Sequence, residues 1–401
     1  VNQAPVQTLA QAATPIATSG TVDQRQVAVK QVAAVASETK QLAKTVTVAA
    51  NATINTSAIQ NGDAGNIVIW SEVKTTVNGI LKALGGALGG NGGFIETSSK
   101  GSVNLGKQLV VDTSAAKGKS GLWFLDPIDL IIDADAASVI ATALANNNVT
   151  IAVNGNVCPS LGGCTQNGSG SLTIASGANI LKQGNTQTTL RLNSSGIFNL
   201  NANISGENLN VIISSSIAYL NVGTSISATQ VTVQAQTIYA NGTINAAGTT
   251  TLGSVIQLLA QAIYITGSLN VAASVNSNGN TSNTNSNTVT YNGNVIRKED
   301  LPAFLTAQNG ATTALDQVYS STAANDSSAD RINAQSNVIN LNAFREINLY
   351  STAELKANGT TGGYINLTAQ AFNAESGSLI QANGNNGPGG VITLITSDVH
   401  L

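Results

Sequence analysis

NGDAGNIVIWSE (61–72) and GGNGGFIETSSKGSVNLGKQLVVDTSAAKGKSGLWFLDPIDLIIDAD (89–135) share one design. Short β-branched runs alternate with glycine turns: Ile67-Val68-Ile69-Trp70, Phe94-Ile95-Glu96-Thr97 and Leu109-Val110-Val111-Asp112. Each run has the length and composition of a strand and is bounded by turn formers, and no catalytic residue type recurs in it. A strand this short cannot bury a face alone. Stacked as successive coils of a parallel β-solenoid, such strands bury one continuous column.

The same punctuation recurs downstream. VTVQAQTIYANGTINA (231–246) overlays IQLLAQAIYITGSLNV (256–271), with Ala235/Ala260, Gln236/Gln261, Ile238/Ile263, Tyr239/Tyr264, Gly242/Gly267 and Asn245/Asn270 in common. INLTAQAFNA (365–374) is a third copy and runs on into Gly377-Ser378-Leu379. Further units begin at Leu172, Leu190, Leu209 and Val338. Where nothing intervenes the spacing is about 20 residues, within the range of solenoid repeats.

Composition suits this reading. Of 401 residues, 42% are hydrophobic and 9% charged, against roughly 25% charged in an average globular protein. Asn, Thr, Ser and Gln supply the polarity instead, and like side chains of this kind can hydrogen-bond up a stack. Disorder goes with the opposite balance, low hydrophobicity and high charge. The net charge is −3 and no basic patch interleaves with aromatics, which argues against a nucleic-acid partner. No apolar run reaches the roughly 18 residues of a membrane-spanning helix. Methionine is absent, so Val1 is read as following a removed leader or longer piece, or as the start of a fragment. Cys158 and Cys164 lie in NVCPSLGGCTQNG (156–168). The proline and glycines between them suit a small disulfide-closed loop, and no His or further Cys nearby completes a zinc site. A disulfide places the chain in an oxidising compartment or outside the cell.

Four stretches follow. Residues 1–44 form an N-terminal extension, in which VDQRQVAVKQVAAVASETKQLAK (22–44) has the composition and end charges of a helix. Such a helix caps the solenoid, docks on a neighbour, or simply lies on the surface. Residues 45–275 are β-helix coils, with 75–92 read as an apolar, glycine-rich break. Residues 276–337 are a polar insertion, two Asn/Ser/Thr-rich tracts around RKEDLPAFLTAQNG (297–310), with a small projecting structure expected at 297–305. Coils resume over 338–401.

GNIVIWSE (65–72), GGNGGFIETSSKG (89–101), Val111-Asp112-Thr113 and GKSGLWFLDPIDLIID (118–133) closely resemble the pattern of large bacterial adhesins exported by two-partner secretion. These are the filamentous-haemagglutinin-like and high-molecular-weight-adhesin-like exoproteins. Their pattern runs from a Val-Val-Trp-Ser-type strand, through Asn-Gly-Gly-Phe-Val-Glu-Thr-Ser-Gly-Lys, to Gly-Lys-x-Gly-x-Trp-Leu-Leu-Asp-Pro. ATALANNNVTI (141–151) and LRLNSSGIFNLNANI (190–204) are similar to the same proteins. The resemblance is specific over 60–275 and generic over 338–401. It implies an all-β, right-handed parallel β-helix and export through an outer-membrane secretion pore. It also implies an extracellular or outer-surface place on a Gram-negative-type bacterium, with roles in adhesion, fibres or biofilm. The family's secretion domain, marked by Asn-Pro-Asn motifs, has no counterpart, since no Asn-Pro dipeptide occurs. The resemblance therefore implies the mature portion downstream of that domain.

The acidic cluster is Asp126, Asp129, Asp133 and Asp135. If this run is one strand, Asp129, Asp133 and Asp135 share a face suited to a weak calcium site. The plainer reading is a Leu-Asp-Pro turn whose Asp bonds its own backbone. The single histidine, His400, stands one residue from the end and completes no triad. Trp70 and Trp123 are of a kind that stacks on sugars, but each sits in an apolar strand and is read as core. Asn-x-Ser/Thr matches such as Asn51, Asn55 and Asn148 are expected by chance in a chain so rich in these residues. No catalytic, cofactor-binding or metal residue is assigned, which leaves the Cys158–Cys164 disulfide as the one site named.

The expected function is structural and non-enzymatic: a rigid rod that presents loops to a host or bacterial surface receptor or glycan. About 13–16 coils at about 4.8 Å each give a rod of roughly 60–75 Å. ANGNNGPGGVITL (382–394) resembles INTSAIQNGDAGNIVIW (54–70), and open solenoid ends carry unpaired edges. Head-to-tail stacking of the chain on itself into filaments is therefore expected. A β-helical polysaccharide-processing enzyme is the alternative, and it requires acidic and basic residues converging in one groove. A toxin-delivery stalk would need a C-terminal toxin domain, and none is read here.

Overall fold

The computed structural model describes residues 43–155, 168–248, 254–272, 337–359, 362–385 and 387–400, with the backbone of 288–291 and 294–297. These residues build a parallel β-helix with three faces. Eleven strands stack on the first face, from Asn66–Ser71, Phe94–Ser99, Leu122–Asp126 and Asn148–Val153 up to Val391–His400. The second face starts with Thr45–Val48, Lys74–Val77 and Ser102–Leu105 and resumes at Leu130–Ile132. The third starts with Thr53–Asn55, Ile80–Lys82 and Val110–Asp112 and resumes at Ile180–Leu181.

Period-two alternation puts every second residue inside. Ile67, Ile95 and Trp123 stand in register on the first face, and Ile95, Trp123, Val149, Leu190 and Val211 are all fully buried. Each such side chain contributes about 1.5–3 kcal/mol on leaving water. The repeats visible in the sequence are the register itself. Ile238 pairs with Ile263, Tyr239 with Tyr264, Asn245 with Asn270 and Ile339 with Ile365. Outward polar ladders form as the composition implies: Asn270 Nδ2 donates to Asn245 Oδ1 (2.9 Å), Asn366 to Asn340 (2.8 Å) and Asn373 to Asn348 (2.7 Å).

Glycine sets the corner before the first face. A Cβ on Gly93 would strike the carbonyl of Gly65, and one on Gly121 the carbonyl of Gly93. The same contact recurs between Gly390 and Gly363, which gives the likeness of the 382–394 and 54–70 motifs a steric cause. Chains cross here too closely for any side chain.

The structure corrects several expectations. Early coils are 28 residues long, the separation at which Asn91 N donates to Asp63 Oδ1, so fewer coils fit than a uniform shorter period allows. Ten steps along the first face come to roughly 50 Å. The stretch 75–92 is not a break: Lys74–Val77 and Ile80–Lys82 pair in register with the next coil, and Leu81 is fully buried. In the insertion, Thr288–Tyr291 and Asn294–Arg297 form an antiparallel pair. The helix expected at 22–44, except for its last two residues, and the projecting structure expected at 297–305, except for its first residue, lie outside the described residues.

One coil replaces its third strand with a helix, α1 (Ala134–Leu144). It sits between Val110–Asp112 and Ile180–Leu181 and touches both. Asp133 caps it, accepting from Ala136 N at 2.9 Å, and its alanine-rich body is the best helix-forming composition. Ala136, Ala137, Ile140, Ala143 and Leu144 recur at helical spacing and are buried. Just beyond it the buried Asn147 meets the strand edge left without a neighbour. Its Oδ1 accepts from Thr113 N (2.6 Å), and its Nδ2 donates to Val111 O (2.8 Å) and Ala143 O (2.7 Å).

Candidate functional site

The acidic cluster of the sequence comes apart. The strand ends at Ile132 and α1 begins, so Asp129, Asp133 and Asp135 do not share a strand face. Asp129 accepts from Ser169 N (3.1 Å), Ser169 Oγ (2.9 Å) and Ser171 N (2.8 Å), tying its turn to a loop distant in sequence. Asp133 caps the helix, and Asp135 pairs with Lys107 at 3.2 Å. Among the described residues no three His, Cys, Asp or Glu side chains gather as a metal site. His400 Nε2 lies 3.3 Å from Asp398 Oδ2, in the open. Cys158 and Cys164 lie outside the described residues.

The two tryptophans divide. Trp123 is fully buried and donates from Nε1 to Thr97 Oγ1 at 3.0 Å. Trp70 is not core. On its strand Ile67, Ile69 and Ser71 point inward, so Trp70 faces out, half-buried, with Lys100 Nζ 5.5 Å from its ring centre.

Asp126 ends its strand opposite Ser98, two residues along from Glu96, a carboxyl the sequence does not single out. Phe94, Glu96 and Ser98 alternate with the core-facing Ile95 and Thr97, yet Glu96 is only 7% exposed and Phe94 2%. Burial, opposed by the nearby Ser98 hydroxyl and aided by the charge of Asp126, pushes Glu96 up to about 7. Its Oε2 has no partner. The available signal was Phe94 and Phe124, aromatics at outward positions with ring centres 6.3 Å apart.

A groove of about 670 Å³ runs along the corner between the first and second faces. Five successive coils line it, through 152–154, 193–195, 214–216, 234–236 and Gln261. None of its lining residues is ionisable. Two oxygens of its lining side chains, Asn193 Oδ1 and Ser215 Oγ, lie out of solvent without a partner. On the second face beyond it Tyr219, Tyr239 and Tyr264 stack with centres 4.9 and 5.1 Å apart. Tyr264 Oη donates to Glu346 Oε1 at 2.6 Å. That bond pushes the Tyr264 hydroxyl up to about 12 and holds the Glu346 carboxyl below its usual range.

The last coil, Val391–His400, pairs on one side only. Ile392 and Val399 stand in register with the core residues Ile365 and Phe372, yet are 47% and 43% exposed. Among the described residues nothing covers the apolar column here.

These features define a three-faced parallel β-helix with polar ladders, an uncharged corner groove and, among the described residues, a final coil paired on one side only. No family model, curated protein or solved structure matches the chain.

Proposed function

We propose that this chain is a non-catalytic rod of an extracellular bacterial adhesin or matrix protein, exported through an outer-membrane pore, whose copies join end to end. The family resemblance of residues 60–275 supplies the class. The observation that carries the assembly is the last described coil, where, among the described residues, an unpaired strand edge and the exposed Ile392 and Val399 coincide. A second copy would cover that surface and pair the edge, as neighbouring repeats do within one solenoid. A polysaccharide-processing enzyme would bring carboxylates into a groove, whereas the groove here is lined by amides, hydroxyls and small apolar side chains. That contrast favours display over catalysis.

Sedimentation velocity over a concentration series tests the assembly. Species that grow with concentration in the parent chain, and a monomer in Ile392→Lys, are expected. A parent chain that stays monomeric at every concentration overturns the proposal.

A further inference from the structure

We propose that the corner groove binds an uncharged carbohydrate chain laid along the rod axis. Four rung-to-rung steps of about 4.8 Å make it roughly 19 Å long, the reach of a short oligosaccharide. Its donors and acceptors are Asn193, Ser215, Gln234, Gln236 and Gln261, residues from four successive coils. Amides and hydroxyls that both give and accept suit sugar hydroxyls, which do the same. The serines at the corner, Ser195 and Ser215, keep it wide enough to enter.

Other ligands fit less well. A nucleic acid or acidic polysaccharide calls for cations, and the groove lining has none. An extended peptide would look for an open strand edge, whereas the strands here are paired on both sides by their neighbouring coils. Stacking plays no part, because the groove lining holds no aromatic ring. Recognition therefore runs through hydrogen bonds from the amides and hydroxyls of the lining. Whether rods stack does not enter this proposal, since the groove lies on the side of a single chain.

Saturation-transfer NMR on dilute protein, with cellohexaose, laminarihexaose, maltohexaose and chitohexaose as probes and a sulfated heparin hexasaccharide as the charged control, tests it. At least one neutral hexasaccharide is expected to bind saturably. Ser215→Trp, which fills the groove, and Gln236→Trp, which blocks its exposed rim without entering the packed wall, should each weaken that binding about ten-fold or more. Asn270→Ala, on the third face, should leave it unchanged. The proposal is overturned if no neutral probe binds, if only the sulfated one does, or if a folded rim variant binds as well as the parent.

Discussion

Asn147 donates to Val111 O and Ala143 O and accepts from Thr113 N, so one amide answers backbone groups that a strand would otherwise pair. Asn147→Ala leaves two of those groups on the Val111–Thr113 edge buried and unmet, at about 1–3 kcal/mol each. Urea melts should register a loss of about 2–6 kcal/mol, and an unchanged midpoint would refute the surrogate role. Glu96 has the opposite problem, a carboxyl held where charge is costly. Its folded pKa of about 7 lies above the ordinary 4.5, so across that interval the folded chain keeps a proton that the unfolded chain releases. Stability therefore falls as pH rises through the window, by up to about 3 kcal/mol, and stays low above it. Glu96→Gln should flatten that slope and be the more stable form in mildly alkaline buffer. Equal pH slopes for the two proteins would contradict the burial of Glu96.

At the scale of elements, strands and register were legible because paired residues repeat in type. Tyr239 over Tyr264 and Asn245 over Asn270 are both a sequence repeat and a physical stack. The helix α1 was not read, although Asp133 and the spacing of Ala136, Ile140, Ala143 and Leu144 carry its signal. Solenoid context invites a strand reading of any short apolar run, and here helix propensity wins. Asp133→Ala should cost about 1 kcal/mol by removing the cap, while Asp133→Asn should cost little; thermal melts of the two variants separate them. Two other features were illegible for a different reason. Alternation says which residues face out, not which outward rows are covered, so it carries no signal that Glu96 is buried. The groove is likewise a property of five stacked corners, invisible in any one of Asn193-Ser194-Ser195, Ser214-Ser215-Ser216 or Gln234-Ala235-Gln236.

At the scale of the whole molecule, the described rod buries its core along the axis and pairs its strands from coil to coil, and among the described residues its final strand is paired on one side only. Val391–His400 offers a long unpaired edge over an exposed apolar cross-section. Continuation of the same ladder into another copy is the growth mode this geometry favours, and each junction would repeat the spacing found within the chain. Cryo-electron microscopy of concentrated protein tests this most directly. The prediction is unbranched filaments one solenoid wide, with a layer line at about 4.8 Å along the filament axis. Separate rods of roughly 50 Å at every concentration would contradict it.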